Sequence, residues 1–185
     1  MIIVNVKFPY SMLVYHGSDI AVKTPKILTA NRFLDFGEGF YTTSSYEQAD
    51  RWAQIVKQNR NSKHQIISFF DFNNEKAIKD LQIIQFDEPS LEWLRFVSAC
   101  RRGIEIKNKY DIVMGPVAND NVYASIRLYE TGVLSEEETI IRLKIEKIYN
   151  QILFHTDKSL NYLAYTEHKN ISASCDEDLQ AGSDE

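Results

Sequence analysis

The sequence is poor in cysteine, glycine and proline, and it contains no long apolar run. Its 185 residues include 2 cysteines, 7 glycines and 4 prolines. Cys100 and Cys175 show no metal-binding spacing, and two cysteines do not make a disulfide framework. Cys100 falls in an apolar helical stretch, which is typical of a small buried hydrophobic side chain. These absences exclude a disulfide-stapled secreted module and a cysteine-based metal module.

The sequence also shows no pattern typical of a membrane-spanning or targeting segment. No stretch approaches the length of a transmembrane helix, and the N-terminus lacks the charged-then-apolar order of a signal peptide. Asn5, Lys7 and Pro9 interrupt the N-terminal apolar stretch, which is the only candidate for such a segment. We therefore expect a cytoplasmic protein with no membrane partner. The net charge of -5 argues against binding nucleic acid mainly by neutralising phosphates.

The composition that is present is that of an ordinary globular domain. Hydrophobic residues make up 44% of the chain and charged residues 25%. The length suits one domain with a sizeable core. Beyond about Asn170 the sequence turns to small and acidic residues with almost no large apolar group. We predict a domain over residues 1–170 and a disordered acidic tail over 171–185.

Hydrophobic periodicity and turn residues predict strands mixed with helices. Predicted strands cover residues 1–9 (as an arm or edge strand), 12–16, 22–27 (as an edge), 65–72, 81–86 (as the neighbour of 65–72), 110–116, 150–155 and 162–166. Predicted helices cover residues 45–59, 89–102, 120–130 and 135–147. Strict strand–helix alternation is absent, so the expected fold class is α+β with mostly antiparallel pairing.

The residues from Asp35 to Thr43 form the stretch around which the chain is organised. Gly37 and Gly39 allow backbone conformations that a Cβ would forbid. Aromatic and β-branched residues follow and predict a short strand. Residues 44–47, Ser-Ser-Tyr-Glu, have the form of a capping box that starts a helix. This order places Tyr41 at the wall of a cleft.

Three polar or aromatic residues on separate predicted strands complete the pattern. They are His16 in Tyr-His-Gly-Ser (15–18), Tyr41 in Asp-Phe-Gly-Glu-Gly-Phe-Tyr-Thr-Thr (35–43), and Gln151 in Gln-Ile-Leu-Phe-His-Thr (151–156). With Gln-Ala-Asp-Arg-Trp-Ala (48–53) and Gly-Pro-Val-Ala-Asn-Asp (115–120), they resemble a bacterial family grouped with the ADP-ribosyltransferases of the diphtheria-toxin and poly(ADP-ribose)-polymerase type. The resemblance covers about residues 12–165.

The resemblance implies an ADP-ribosyltransferase-like split sheet and a site for NAD as substrate. It implies that His16 binds a hydroxyl of the nicotinamide ribose, that the backbone of Gly17 pairs with the carboxamide, and that Tyr41 and Trp52 enclose the nicotinamide ring. The catalytic set is His16, Tyr41 and Gln151. The remaining residues of the expected NAD-binding set are Ser18, Arg32, Phe40, Asn119 and Asp120. No metal site is expected.

Gln151 departs from the family pattern, because polymerase-type relatives carry glutamate at this position. An amide can hydrogen-bond a ribose, but it cannot act as a base or supply negative charge. Ala49 is a second departure, at a position where many relatives have a hydroxyl. Polymer elongation is therefore not expected.

The resemblance implies a mono-ADP-ribosyltransferase, the toxin of a toxin–antitoxin pair, which modifies a protein or nucleic acid acceptor and binds a cognate antitoxin protein. Two alternatives stay open: an NAD glycohydrolase, and a non-catalytic module that binds NAD, ADP-ribose or a partner. Taken singly, each site residue also has an ordinary structural reading, such as a core aromatic or a helix cap.

Overall fold

The computed structural model describes residues 11–27, 34–104, 109–116, 120–144 and 150–173, without the side chains of residues 120 and 121. In these ranges seven strands and six α-helices follow one another. They are β1 (Met12–Ser18), β2 (Phe40–Thr43), α1 (Tyr46–Asn59), β3 (Ile66–Phe72), α2 (Asn74–Asp80), β4 (Ile83–Gln85), α3 (Leu91–Arg101), β5 (Ile112–Pro116), α4 (Asp120–Glu130), α5 (Glu136–Leu143), β6 (Asn150–Phe154), α6 (Asp157–Leu160) and β7 (Leu163–Asn170). A short 3-10 helix, Ile171–Ala173, comes last.

The strands form one mixed sheet in the order β4-β5-β6-β2-β1-β3-β7. All neighbouring pairs are antiparallel except β4 and β5, which are parallel. The expected α+β class with mostly antiparallel pairing is confirmed. β1 pairs with β3 along its whole length, whereas a single register pair, Tyr15 with Thr43, joins β1 to β2. The pairing of β1 with β2 is therefore the shortest in the sheet, and we call this junction the division between the half-sheets.

The two faces of the sheet bury different clusters, because successive side chains of a strand point to opposite faces. We call the face with Val14 and Phe70 the first face; it is covered by α2 and the chain around α6. The opposite, second face has two parts. α1 packs over β1 and β3 through its small residues Ala49 and Ala53. Helices α3, α4 and α5 cover the other half with a cluster that includes Trp93.

The helix starts follow local side-chain chemistry. The hydroxyl of Ser45 caps α1 by accepting from the Gln48 amide, so the cap lies one residue later than the predicted Ser-x-x-Glu box. Ser90 caps α3, so the helix begins at Leu91, two residues after its predicted start at Pro89. The predicted start of a helix at residue 135 is confirmed by a capping box, in which Ser135 and Glu138 bond each other's backbone amides. That helix ends at Leu143, short of the predicted end at residue 147.

Several sequence predictions of strands are wrong. β4 does not neighbour β3; it lies at the far edge of the sheet, beside β5, because β3 is already paired on both sides by β1 and β7. Residues 22–27 form no strand. Instead the Val22 amide donates to the Ser68 hydroxyl, 2.9 Å away, and Val22 and Ile27 pack on the first-face core. Helices α2 and α6 were not predicted. The predicted arm at residues 1–9 lies outside the described residues.

The folded unit includes residues beyond the predicted boundary at residue 170. Ile171 packs against the cluster under α1, and its amide donates to the carbonyl of Gln65, 2.8 Å away. Lys57 donates to the hydroxyl of Ser172. Residues 171–173 therefore belong to the folded unit, and the rest of the predicted tail lies outside the described residues. Among the residues that are described, no helix is long and apolar enough to cross a membrane.

Candidate functional site

The three predicted catalytic residues lie on three consecutive strands of the sheet. His16 is on β1, Tyr41 on β2 and Gln151 on β6, and these strands are neighbours in the order β6-β2-β1. Two strand spacings, roughly 10 Å, separate β1 from β6. One bound nucleotide can bridge that distance.

Tyr41 and Gln151 share the second face of the sheet. Tyr41 pairs with Leu153, and Thr43 pairs with Gln151, so Tyr41 and Gln151 are diagonal neighbours with Cβ atoms roughly 7–8 Å apart. On its other side Gln151 pairs with Gly115, which has no side chain. Within the described part of the chain the side-chain amide of Gln151 has no hydrogen-bond partner, and the residue is half-buried. It is therefore available to a ligand.

His16 projects from the first face, opposite to Tyr41 and Gln151. It shares that face with Val14, and its ring stacks on Phe40 with centroids 4.5 Å apart. Tyr41 and Gln151 therefore share one face of the sheet, and the side chain of His16 does not lie beside them. His16 instead lies at the division between the half-sheets, where its Nδ1 is 2.7 Å from the backbone oxygen of Tyr41.

The hydrogen bond to Tyr41 fixes the tautomer of His16. A carbonyl oxygen only accepts, so Nδ1 carries the proton. Burial lowers the pKa of His16 from its ordinary value of 6.5, and the bond to the Tyr41 carbonyl offsets part of this effect. His16 is therefore neutral at pH 7, and Nε2 is a hydrogen-bond acceptor. A hydroxyl donor is the partner that such an atom suits.

The glycine loop, which we define as residues 35–39, is held from several sides. The Tyr41 hydroxyl donates to the Gly37 carbonyl at 2.6 Å and accepts from the Phe36 amide at 3.4 Å. Gly37 has a φ of 91°, in the left-handed region that favours glycine. A Cβ on Gly39 would lie 2.4 Å from the Phe154 carbonyl oxygen. The loop therefore needs both glycines for its path over β6.

Asp35 anchors the other end of the loop to helix α3. Arg101 Nε lies 3.7 Å from a carboxylate oxygen of Asp35, and the two side chains are only 9% and 20% exposed. The guanidinium also lies over the ring of Tyr123, 3.9 Å from its centroid. Burial, and secondarily Asp35, raises the pKa of Cys100 to about 12. Cys100 is therefore a protonated core residue, as the sequence indicated.

The predicted NAD-binding residues fall into three groups. Gly17 and Phe40 are buried: a Cβ on Gly17 would lie 2.0 Å from the Ala49 carbonyl oxygen, and Phe40 supports the ring of His16 from the core. Ser18 is also buried, and its hydroxyl donates to Asp19 at 3.4 Å. Trp52 is 44% exposed on α1, one turn after Ala49. Arg32 and Asn119 lie outside the described residues, and Asp120 begins α4 but its side chain is not described.

Sequence reasoning gave no role to His155 or Arg101, although both contact the glycine loop. His155 occurred inside a matched motif, and that was its only signal. Arg101 had no signal beyond its place at the end of an apolar helix.

A shallow hollow of about 220 Å³ lies elsewhere, at the ends of β5 and β6. Its lining residues are Asp87, Glu88, Pro89, Pro116, Leu143, Lys144 and Asn150. It is smaller than typical ligand pockets of roughly 300–1,000 Å³, and it includes none of the candidate catalytic residues. Among the described residues no group of His, Cys, Asp and Glu is arranged to hold a metal ion.

Comparison with known protein families gives a match over most of the chain. The profile of a family described as "Protein of unknown function (DUF3990)" matches residues 12–165. The chain belongs to this DUF3990 family. The match begins at β1 and ends within β7, so it includes His16, Tyr41 and Gln151. Comparison with curated proteins gives no match.

Proposed function

We propose that this DUF3990 protein is an NAD-dependent mono-ADP-ribosyltransferase with an ADP-ribosyltransferase-like fold. The observation that supports this proposal most is the arrangement of His16, Tyr41 and Gln151. They lie on consecutive strands beside the division of the sheet, with His16 bonded to the backbone of Tyr41 at 2.7 Å. The motif resemblance described above supplies the identity of the substrate.

The three side chains would bind and orient the donor in different ways. Nε2 of His16 accepts a hydrogen bond from a ribose hydroxyl. The ring of Tyr41, fixed by its hydroxyl bond to Gly37, offers an aromatic face to nicotinamide. The side-chain amide of Gln151 hydrogen-bonds a hydroxyl of the ligand on the face that it shares with Tyr41, across the sheet from His16. Together they position the bond between nicotinamide and ribose for cleavage.

The reaction breaks the C1′–N bond of NAD, and the bonding electrons return to the pyridinium ring, which leaves as neutral nicotinamide. An acceptor nucleophile forms the new bond at C1′ and loses its proton. Gln151 cannot take this proton, so it passes to a base of the acceptor or to solvent. The product is therefore a single transferred ADP-ribose unit.

The resemblance also suggests the biological setting. We propose a toxin that modifies a protein or nucleic acid acceptor and is neutralised by a cognate antitoxin protein. Expression of the wild-type chain should arrest bacterial growth, and expression of His16→Ala should not. Equal growth of both cultures at equal protein levels contradicts the toxin proposal.

Nicotinamide release from NAD by the purified protein tests the chemistry directly. The wild type should release nicotinamide. His16→Ala should lower the rate by several orders of magnitude, because it removes a group that orients the substrate. Transfer of adenylate label from NAD to a macromolecule distinguishes a transferase from a glycohydrolase. Absence of nicotinamide release from the wild type, with and without candidate acceptors, contradicts the enzymatic proposal.

A further inference from the structure

Gln48 belongs to the Gln-Ala-Asp-Arg-Trp-Ala sequence at 48–53, and the proposed chemistry gives it no role. It is the third residue of α1, three positions after the capping residue Ser45, and it is half-buried. In a Ser-x-x-Gln capping box, the glutamine side chain reaches back to the backbone amide of the serine. Here the Ser45 amide donates instead to the hydroxyl of Thr43, 3.0 Å away. The side chain of Gln48 therefore makes a different contact.

The contact that Gln48 makes is also with Thr43. The Thr43 hydroxyl oxygen lies 2.7 Å from Oε1 of Gln48 and 2.8 Å from the carbonyl oxygen of Asn150. A hydroxyl has one proton, so it cannot donate to both oxygens. The two ends of a glutamine amide are assigned from the hydrogen bonds that they make. All partners of Thr43 are satisfied when its proton goes to the Asn150 carbonyl and the amide of Gln48 is turned so that Nε2 donates to Thr43.

In this orientation Oε1 of Gln48 has no hydrogen-bond partner among the described residues, and one N–H of Nε2 is unused. The amide also lies beside Gln151. Thr43 and Gln151 are a register pair of β2 and β6, so their Cβ atoms are roughly 4.5–5.5 Å apart on the second face. Two half-buried amides with unused hydrogen-bonding capacity therefore meet next to Thr43, on the face of Tyr41.

The unused atoms define the chemistry of the ligand group. Oε1 of Gln48 only accepts, so it suits a hydroxyl proton and disfavours a phosphate or carboxylate oxygen. Each amide both donates and accepts, and a hydroxyl does the same. A pair of neighbouring hydroxyls therefore matches the pair of amides. In NAD such pairs are the cis-diols of the two riboses.

We propose that Gln48 binds substrate together with Gln151, and that the two amides hold the cis-diol of one ribose on the second face. This inference rests on the proposed function for the identity of the ligand. His16 lies on the first face, so the diol is bound separately from the hydroxyl at His16. Thr43 is then a positioning residue, because its buried hydroxyl holds the Gln48 amide against β2.

Substitutions of Gln48 test the inference. Gln48→Leu keeps most of the volume and removes both polar atoms of the amide. Gln48→Ala replaces it if that variant does not fold, because alanine has the highest helix propensity. Gln54→Leu is the matched control, since Gln54 is an exposed glutamine of the same helix.

Calorimetric titrations measure the binding of nicotinamide mononucleotide and of AMP, each beside its 2′-deoxy and 3′-deoxy analogues, and of free nicotinamide. Gln48→Leu should weaken the binding of one of the two nucleotides about tenfold, the scale of one lost hydrogen bond. With one deoxy analogue of that nucleotide, the substitution should cause no further loss, because the hydroxyl that Gln48 contacts is already absent. Gln54→Leu should bind every ligand as the wild type does.

The nucleotide that responds identifies the ribose: nicotinamide mononucleotide for the ribose beside nicotinamide, AMP for the adenosine ribose. Equal weakening of a nucleotide and both of its deoxy analogues overturns the inference, because Gln48 then supports the site without contacting a hydroxyl. Unchanged nucleotide binding in Gln48→Leu overturns it too. Weaker binding of free nicotinamide overturns the diol assignment in favour of the carboxamide.

The outcomes also separate this inference from the proposed function. A wild type that binds a nucleotide with the expected coupling to Gln48 but cleaves no NAD overturns the proposed function alone. A wild type that cleaves NAD, with no effect of Gln48→Leu on binding, overturns the inference alone. A wild type that binds neither nucleotide also overturns the inference.

Discussion

The hydroxyl of Tyr41 donates a hydrogen bond of 2.6 Å to the carbonyl of Gly37, four residues earlier in the chain. The bond closes the glycine loop onto the strand that follows it. The hydroxyl of Tyr41 thus holds the loop, and the proposed function assigns one face of its ring to substrate. These two contributions can be separated by mutation.

Tyr41→Phe should retain the ring and lose the closing bond. We expect a loss of about 1 kcal/mol in the free energy of unfolding, because the short bond to the Gly37 carbonyl and the longer one from the Phe36 amide disappear from a half-buried position. NAD turnover should fall modestly. Tyr41→Ala should keep the fold but lower NAD turnover by several orders of magnitude. Urea unfolding and nicotinamide release measure the two effects, and equal turnover in Tyr41→Phe and Tyr41→Ala would contradict a role for the ring.

Arg101→Gln should destabilise the protein by about 3 kcal/mol, because it removes a nearly buried guanidinium that faces the largely buried carboxylate of Asp35. Adding Asp35→Asn to Arg101→Gln should recover part of the lost stability, because it removes the negative charge that the guanidinium faced. Arg95→Gln is the control, since Arg95 bonds Glu136 in an exposed pair and its loss should matter much less. Thermal unfolding of the wild type, Arg101→Gln, Asp35→Asn and the double variant gives the coupling between residues 35 and 101. Additive losses for residues 35 and 101 would show that the ion pair contributes nothing.

Much of the architecture could be predicted from local patterns. α4 and the capped start of α5 follow from periodicity and one capping box, because both signals lie within a few residues of the element that they specify. The partner of β4 could not be predicted, since pairing of distant strands leaves no local signature. The same limit applies to α2, whose short sequence lacks a strong period.

For the site, the motifs predicted that His16, Tyr41 and Gln151 matter together, and the fold places them on neighbouring strands. That His16 and Tyr41 face opposite ways follows from the register of β1 against β2, which one sequence does not reveal. Gly17 is a further example. The sequence suggested that the backbone at this position contacts a ligand. The structure adds a steric reason for a glycine there, because α1 approaches closely at Ala49.

Acid should destabilise the fold through two histidines. Burial lowers the pKa of His16 and of His155 below the ordinary value of 6.5. Below about pH 6.5 the unfolded chain therefore binds more protons than the folded chain, and stability falls as the pH drops through the lowered values. Above that pH the contribution is fully present.

Urea unfolding at pH 7.5 and pH 5.0 measures this dependence. His16→Asn and His155→Gln should each reduce the difference in unfolding free energy between the two pH values, because each removes one buried site of proton uptake. His168→Gln controls for the loss of an exposed histidine and should leave the difference unchanged. A pH dependence that is equal in all four proteins contradicts the prediction.

Gln151 gives the prediction in which residue and chemistry are most closely linked. Chain extension requires removal of a proton from a ribose hydroxyl of the previous unit, and a neutral amide cannot accept it. Modified acceptors should therefore gain one ADP-ribose mass increment per site, with no ladder. Intact-mass spectrometry of an acceptor incubated with NAD measures this directly.

Two substitutions at the same position distinguish hydrogen bonding from charge. Gln151→Ala should lose activity, because a ribose hydroxyl is left unpaired in the site at a cost of roughly 1–3 kcal/mol. Gln151→Glu is nearly equal in size and differs in charge, so it should retain NAD binding and raise hydrolysis by stabilising the positive charge that develops on the ribose. The side chain of Gln151 on β6 makes no hydrogen bond within the described part of the chain, so neither change should disturb the fold. Ladders from the wild type, or full activity in Gln151→Ala, would remove Gln151 from the site.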